Sequence, residues 1–272
     1  MGGHAAFPFP DILDTCKNRV LVIIFRWMIK DKNFRGIKIK GRIFQYADCA
    51  NCHRRYLYCN IIKRDKPGEE KLMRNKRFEA MQKEVAGNFD HEKGERIAGN
   101  MKKEYEELCS NIDEKNDKMA HHKQNNIYPV VTAFHALIKE GMTRKEAAEI
   151  ADKSFLVLME DIAESIRKMM KFPGAYKLMP ALWKKMMPKL FSPESGFEFK
   201  IQDTGKDQVK FDMTACPYME VCRELDCMEL AGTFCTTDDV CYGNMHPKLI
   251  WNRTKTLAKN GEPCDFDLYI KK

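Results

Sequence analysis

Apolar and polar positions divide the chain into three stretches with different periods. From Leu72 to Lys118, Met73, Phe78, Met81 and Val85, then Ile97, Met101, Tyr105 and Leu108, recur at helical spacing among charged residues. "GNFDHEKG", residues 87 to 94, breaks that run. From Asn125 to Phe172 the periodicity is clearest. Gly141 suits a helix C-terminus, and Thr143 with Glu146 forms a T-x-x-E capping box. Ala147, Ile150, Ala151, Phe155, Leu158, Ile162 and Ile166 then make one apolar stripe, expected to pack in the core.

After "FPGAYKLMP" the period becomes two. "GFEFKIQ" and "QVKFDMTAC" alternate around the turn "DTGKD". "PYMEVCRELDCMEL" begins with Pro217, at home in a first helical turn. "KLIWNRTKTLA" and "CDFDLYI" read as two strands joined through Lys259 to Glu262. The pattern predicts an α+β fold. A helical half, 73–190, packs on an antiparallel sheet with short helices, 191–272.

Residues 1–72 follow neither period. They are densely basic from Lys17 to Lys66, alternate only in "GIKIKGRIF", and end near the turn "RDKPGEE". We expect a basic extension, not necessarily ordered, followed by one domain over 73–272. The net charge of +8 favours anionic partners without fixing a fold. Basic residues interleaved with aromatics could contact nucleic acid, but no recognised nucleic-acid motif accompanies them, so a solvated extension is preferred. The apolar run Val20 to Phe25 stops at Arg26, far short of a membrane span. No cleavable leader is apparent, so a cytoplasmic, reducing location is expected.

In that setting the 11 cysteines are thiols, ligands or catalytic groups rather than a disulfide framework. Cys49, Cys52 and His53 form C-x-x-C-H, with Cys59 nearby. Covalent haem is not expected there. Zinc has suitable ligand types in these four residues, and reduced cysteines in irregular chain remain the plainer alternative. His91, His121 and His122 are expected at the surface, and His135 packed or half-buried.

Six cysteines fall between Cys216 and Cys264, with Asp238, Asp239, His246, Arg253 and Asp265 among them. Thiolates attack carbon electrophiles or bind soft metals, and carboxylates move protons. An arginine fork can hold a carboxylate in two-point contact. Buried free cysteine also packs as a small hydrophobe, the expectation for Cys222, Cys227 and Cys241.

"FDMTACPYMEVCRELDCMELAGTFCTTDD" followed by "RTKTLAKNGEPCDFDLYI" resembles the L-2-amino-thiazoline-4-carboxylic acid hydrolase family. The matching positions are Cys216-Pro217, Cys235 with Asp238, Arg253-Thr254, Thr256-Leu257, Gly261 and Cys264-Asp265-Phe266. Asp267 departs from the basic residue the family often carries after C-D-F. The resemblance covers 120–272 well and 73–119 loosely, and stops before residue 72. It implies hydrolysis of a cyclic isothiourea at a C–N bond, on a route to cysteine. Two mechanisms fit. In one, Cys235, or else Cys264, attacks the ring carbon with Asp238 beside it. In the other, Cys216, Cys235, Asp238 and Cys264 hold a divalent metal that activates water. Arg253, with Thr254 and Thr256, would bind the substrate carboxylate, although Arg253 could instead form a salt bridge and Asp265 could hold a turn.

If "GTFC" and "CDFDLYI" share a sheet, Cys235 and Cys264 face one pocket, Asp238 lies at its rim, and Arg253 reaches in from the neighbouring strand. Arg253 and helix N-termini should then favour thiolates. The terminal strand is also similar to vinyl-reductase-type domains, which implies the alternative of a non-catalytic small-molecule or metal-binding module.

Overall fold

The computed structural model describes residues 75–113 and 117–272, together with the backbone of residues 38, 39, 42 and 43. The C-x-x-C-H stretch and most of the basic extension lie outside the described residues. Strands β1 (Lys38–Ile39) and β2 (Arg42–Ile43) pair antiparallel, within the one alternating segment of that extension.

The main body begins with α1 (Lys76–Ala86) and α2 (His91–Ser110). Asn75 caps α1 by accepting from the amides of Arg77 and Phe78, and Asp90 caps α2 by accepting from Lys93. Gly94 lets the two helices approach closely: a Cβ there would lie 2.8 Å from the Ala86 carbonyl oxygen. A short α3 (Ala120–His122) runs through a π-helical turn (Lys123–Ile127) into α4 (Tyr128–Lys139). The capping box then opens α5 (Arg144–Met170), where Thr143 and Glu146 bond reciprocally.

The buried face of α5 is slightly rotated from the stripe expected. Ala147, Ala151, Ser154, Phe155, Met159, Ala163, Ile166 and Met170 are buried, whereas Ile150, Leu158 and Ile162 are half-buried at its flank. Small residues replace large ones on that face because α5 packs against α4 and, further along the chain, α8 (Ala231–Tyr242). Helix α6 (Ala175–Leu190) lies on the sheet. Among the described residues no helix is long and apolar enough to cross a membrane.

The sheet joins β3 (Glu198–Gln202), β4 (Gln208–Ala215), β6 (Cys264–Ile270) and β5 (Leu249–Asn252), in that spatial order and all antiparallel. The expected α+β architecture is present. One face is apolar: Val209, Phe211 and Met213 sit opposite Leu268, Phe266 and Cys264. Phe211 and Phe266 stack at 4.5 Å, and Trp183 of α6 packs edge-on against Trp251 at 5.5 Å. The other face carries Lys210, Asp212, Asp265 and Asp267, as a half-solvated antiparallel sheet should.

One expected strand segment is helical, and another stays in the sheet only over its first residues. "GTFC" belongs to α8, not to the sheet. Its apolar content reflects packing of Phe234 against Phe155 of α5, at 6.2 Å between ring centroids. "KLIWNRTKTLA" leaves the sheet after Asn252. Thr256 caps a one-turn helix, α9 (Leu257–Asn260), which Gly261 ends with φ 67°. The last hairpin is therefore joined by a structured loop, not a tight turn.

Candidate active site

Several elements meet around a cavity of about 120 Å³. Strand β4 ends at Ala215, and Cys216 then starts α7 (Pro217–Glu224), with Pro217 at its first position. Helix α8 supplies Cys235 and Asp238, three residues apart and hence on one face. Strand β6 opens with Cys264, and Arg253 follows β5. Cys216, Cys235, Asp238, Arg253 and Cys264 all line the cavity. The remaining wall is largely aromatic and thioether, from residues such as Phe155, Met159, Trp183 and Phe211.

Arg253 organises one end. Its side chain is 2% exposed. Nη1 donates to Asp238 at 3.2 Å, and Nη2 donates to Asp239 at 2.7 Å and to the Cys235 carbonyl at 2.7 Å. Its guanidinium also sits 5.3 Å from the Phe266 ring centroid. Trp251 donates to the second oxygen of Asp239 at 3.0 Å. Arg253 thus reaches in from beside β5 and forms the salt bridge foreseen as its alternative role.

Asp238 is the electrostatic focus. Burial outweighs the attraction of Arg253 and pushes its carboxyl up from 3.8 to about 7. About a third of its side chain remains accessible, enough for proton exchange with a ligand in the cavity.

The thiols are not thiolates. Burial pushes Cys216 up to about 12 and Cys235 up to about 11, and raises Cys264. Arg253 and a hydrogen bond from Thr256 pull Cys235 downward, but burial prevails. The expected net thiolate character is corrected: the apolar walls that shape the cavity also favour the neutral sulfur. Cys264 Sγ accepts from the Leu257 amide at 3.3 Å.

Neither Thr254 nor Thr256 is among the residues that line the cavity. Thr254 is exposed and donates its hydroxyl to Asp265 at 2.6 Å, outside the cavity wall. Asp265 also accepts from the Thr254 and Lys255 amides, so it holds a turn. Thr256 is buried, accepts from Lys259 at 3.1 Å while capping α9, and supports Cys235 from behind the cavity.

Among the described residues no three His, Cys, Asp or Glu side chains are grouped so as to hold a metal ion. Cys216, Cys235, Asp238 and Cys264 share a wall without forming a ligand set.

Cys222, Cys227 and Cys241 are buried. His91 is exposed, and His135 is half-buried with Nδ1 2.5 Å from Glu104. His122 departs from its expected surface position: it is 4% exposed and lines the cavity with Asn126 and Tyr218. No spacing rule singles these three out. The one available signal was the position of Tyr218 directly after Cys216-Pro217.

The family model for L-2-amino-thiazoline-4-carboxylic acid hydrolase matches residues 120–268. The chain belongs to this family. Neither the curated proteins nor the solved structures contain a match to it. The family match begins at α3 and ends within β6, so it contains every cavity-lining residue. Arg77, which supports the cavity from α1, lies before it.

Proposed function

We propose that this family member hydrolyses a cyclic isothiourea of the L-2-amino-thiazoline-4-carboxylate type at its ring C–N bond. One observation carries this function. A thiol and a carboxylate titrating near neutrality, Cys235 and Asp238, stand one turn apart on α8 and line the same cavity. The chemistry follows from their protonation states. Asp238 takes the Cys235 proton as sulfur attacks the ring carbon bonded to two nitrogens and one sulfur. Free thiolate need not accumulate, which suits a thiol held near pKa 11. The C=N electron pair moves onto the ring nitrogen, which takes the proton back from Asp238. The exocyclic nitrogen then forms a C=N bond with its lone pair and passes one of its protons, through Asp238, to the ring nitrogen. That nitrogen leaves as the amine as the ring C–N bond breaks. Water, losing a proton to Asp238, attacks the enzyme-bound carbon, and Cys235 leaves as the thiol. The net change is addition of one water, giving a carbamoyl-cysteine. Arg253 holds Asp238 in place throughout, and Cys264 is the second candidate nucleophile.

Neutral, unpaired thiols at Cys216, Cys235 and Cys264 suit a reducing compartment, and we assign the protein to the cytoplasm. Every side chain used lies after residue 72, so a chain lacking 1–72 should retain turnover. A steady-state assay of the two forms checks this.

The deciding experiment incubates purified full-length protein with L-2-amino-thiazoline-4-carboxylate and follows carbamoyl-cysteine by mass spectrometry. Turnover that survives chelation and is lost in Cys235→Ser supports the covalent route. Turnover lost on chelation and restored by a divalent metal would replace it with metal-activated water. Tight ligand binding without turnover would support the non-catalytic binding module.

A further inference from the structure

Asp238 and Asp239 are neighbours on α8, about 100° apart around the helix, so their carboxyls leave it in different directions. Asp238 lines the cavity and Asp239 does not. The Cys235 chemistry uses the first and gives the second no task. Yet Asp239 is tied into the same cluster from two sides. Trp251 on β5 donates through its indole nitrogen to Oδ1 of Asp239 at 3.0 Å, and Arg253 donates through Nη2 to Oδ2 at 2.7 Å.

An indole N–H and a guanidinium can only donate. The side chain at 239 must therefore accept with two separate atoms. A carboxylate does so, whereas asparagine has one oxygen and would turn its NH₂ group toward one of the two donors. Trp251 is itself fixed by its ring contacts with Trp183, Tyr242 and Phe266, at 5.5, 5.2 and 5.5 Å between centroids. Asp239 passes that fixed position on to Arg253. The guanidinium then donates through Nη1 to Asp238 at 3.2 Å and through Nη2 to the Cys235 carbonyl at 2.7 Å.

This sharing has an electrostatic consequence. One guanidinium serves two carboxyls, so with both ionised the three groups carry one net negative charge. Burial pushes up the Asp238 carboxyl, Arg253 opposes the rise, and the charge of Asp239 adds to it. An Arg253 released from Asp239 could turn its whole fork onto Asp238 and hold it as a fixed anion and a weak base.

We propose that Asp239 is a positioning residue for the reaction: with Trp251 it holds one nitrogen of Arg253, so that Arg253 orients Asp238 in the cavity without neutralising it. The inference rests on the hydrolase function proposed above for the reaction it serves. The arrangement itself can be read without turnover.

Carbon-13 NMR of the full chain, labelled at the aspartate side-chain carboxyls, follows Asp238 directly; its signal is the one lost in Asp238→Asn. In the wild type its midpoint should lie at about 7. In Asp239→Asn the midpoint should fall by about one pH unit or more, the scale of losing a neighbouring like charge. Asp239→Glu keeps the charge and both acceptor oxygens, and should restore the wild-type midpoint. The other titratable groups on the cavity wall, His122, Cys216, Tyr218, Cys235, Tyr242 and Cys264, with Arg253, are the same in all three proteins.

Steady-state kinetics with L-2-amino-thiazoline-4-carboxylate give the second readout. The acid limb of kcat/KM should move down with the midpoint in Asp239→Asn, and KM should stay within about threefold because Asp239 does not line the cavity. A uniform loss at every pH with the limb unmoved marks ordinary structural support and overturns the inference. So does a wild-type midpoint near the ordinary 3.8, which needs no variant to measure. Turnover with an unmoved midpoint in Asp239→Asn overturns the role of Asp239 and leaves the hydrolase function standing. A shifted midpoint in a protein that hydrolyses no aminothiazoline does the reverse.

Discussion

Two sets of three cysteines lie interleaved in the last quarter of the chain, and their surroundings differ. Cys216, Cys235 and Cys264 line the cavity beside Asp238 and Arg253. Cys222, Cys227 and Cys241 are 0%, 0% and 2% exposed, within the packed interior. Cys222 lies six residues beyond Cys216, and Cys241 six residues after Cys235 on α8, about one and two-thirds helical turns in each case, so neither shares the face of the cavity-lining member. Burial raises Cys216, Cys235 and Cys264 in one set and Cys241 in the other, while the hydrogen bond from Cys222 lowers Cys227, so a raised thiol does not mark the cavity set. What separates them is access to a ligand and a proton acceptor within reach. Asp238 lines the cavity together with Cys235, whereas Cys241 lies outside the cavity wall and donates to the Met159 carbonyl at 3.9 Å. Cys222 stays protonated because it donates to Cys227 and is buried.

The largest expected effects test this division through activity. Cys235→Ser should abolish measurable turnover of the aminothiazoline acid. Asp238→Asn should lower kcat by about 10²–10⁴-fold, the usual contribution of a positioned acid–base group. Cys241→Ala, on the same helix, should leave kcat within about threefold once the protein is folded. Steady-state kinetics of the three variants under one set of conditions are sufficient. If Cys241→Ala costs as much as Cys235→Ser, the two sets are not functionally distinct.

The next effect runs the other way and reads stability. Cys222→Ser places a hydroxyl, a stronger hydrogen-bonding group than a thiol, in a fully buried site. It should cost about 1–3 kcal/mol of unfolding free energy, the usual penalty for a poorly satisfied buried polar group. Cys216→Ser, at a half-buried helix start where serine caps well, should change stability by less than about 0.5 kcal/mol. Urea melts followed by circular dichroism give both values. A larger loss for Cys216→Ser than for Cys222→Ser would break the contrast.

This contrast also marks how far the sequence could be read. The capping box at Thr143, the alternation of β3 and β4 and the first-turn proline of α7 are local signals, and each element forms where its pattern predicts. "GTFC" misled because a short apolar run has no period of its own. The contact of Phe234 with Phe155 on α5 lies outside any local window. A shared pocket for Cys235 and Cys264 was expected from a common sheet, whereas the structure brings Cys235 to the cavity on α8. The electrostatics were not legible. Arg253 next to cysteines reads as a thiolate stabiliser, but the surrounding aromatic wall comes from remote elements and its burial decides the sign. His122, Asn126 and Tyr218 were missed for the same reason: their hydrogen-bonded chain depends on Arg77, 49 residues before Asn126.

The smallest effect sharpens the comparison through protons. Asp238 ordinarily titrates at 3.8 and is raised to about 7 in the folded protein. Between those values the folded state keeps a proton that the unfolded state has lost. Its contribution to stability must therefore fall as pH rises from about 4 to about 7, and then level off. Asp90, Glu146, Glu164, Glu229 and Asp265 are lowered on folding, so stability from them is present above their unfolded values and lost only in acid. The signature of Asp238 is thus best read as a difference. The unfolding free energy of wild type minus that of Asp238→Asn should decline across pH 4 to 7, because asparagine cannot titrate. Cys235, raised to about 11, contributes a separate decline above about pH 9 that Cys235→Ala removes. The same carboxylate must be ionised to accept the Cys235 proton, so kcat/KM should rise with pH through about 7. A flat stability difference, together with kcat/KM independent of pH from 5 to 8, would mean that Asp238 titrates as an ordinary carboxylate. Proximity to Cys235 alone would then not distinguish the cavity cysteines from the packed ones.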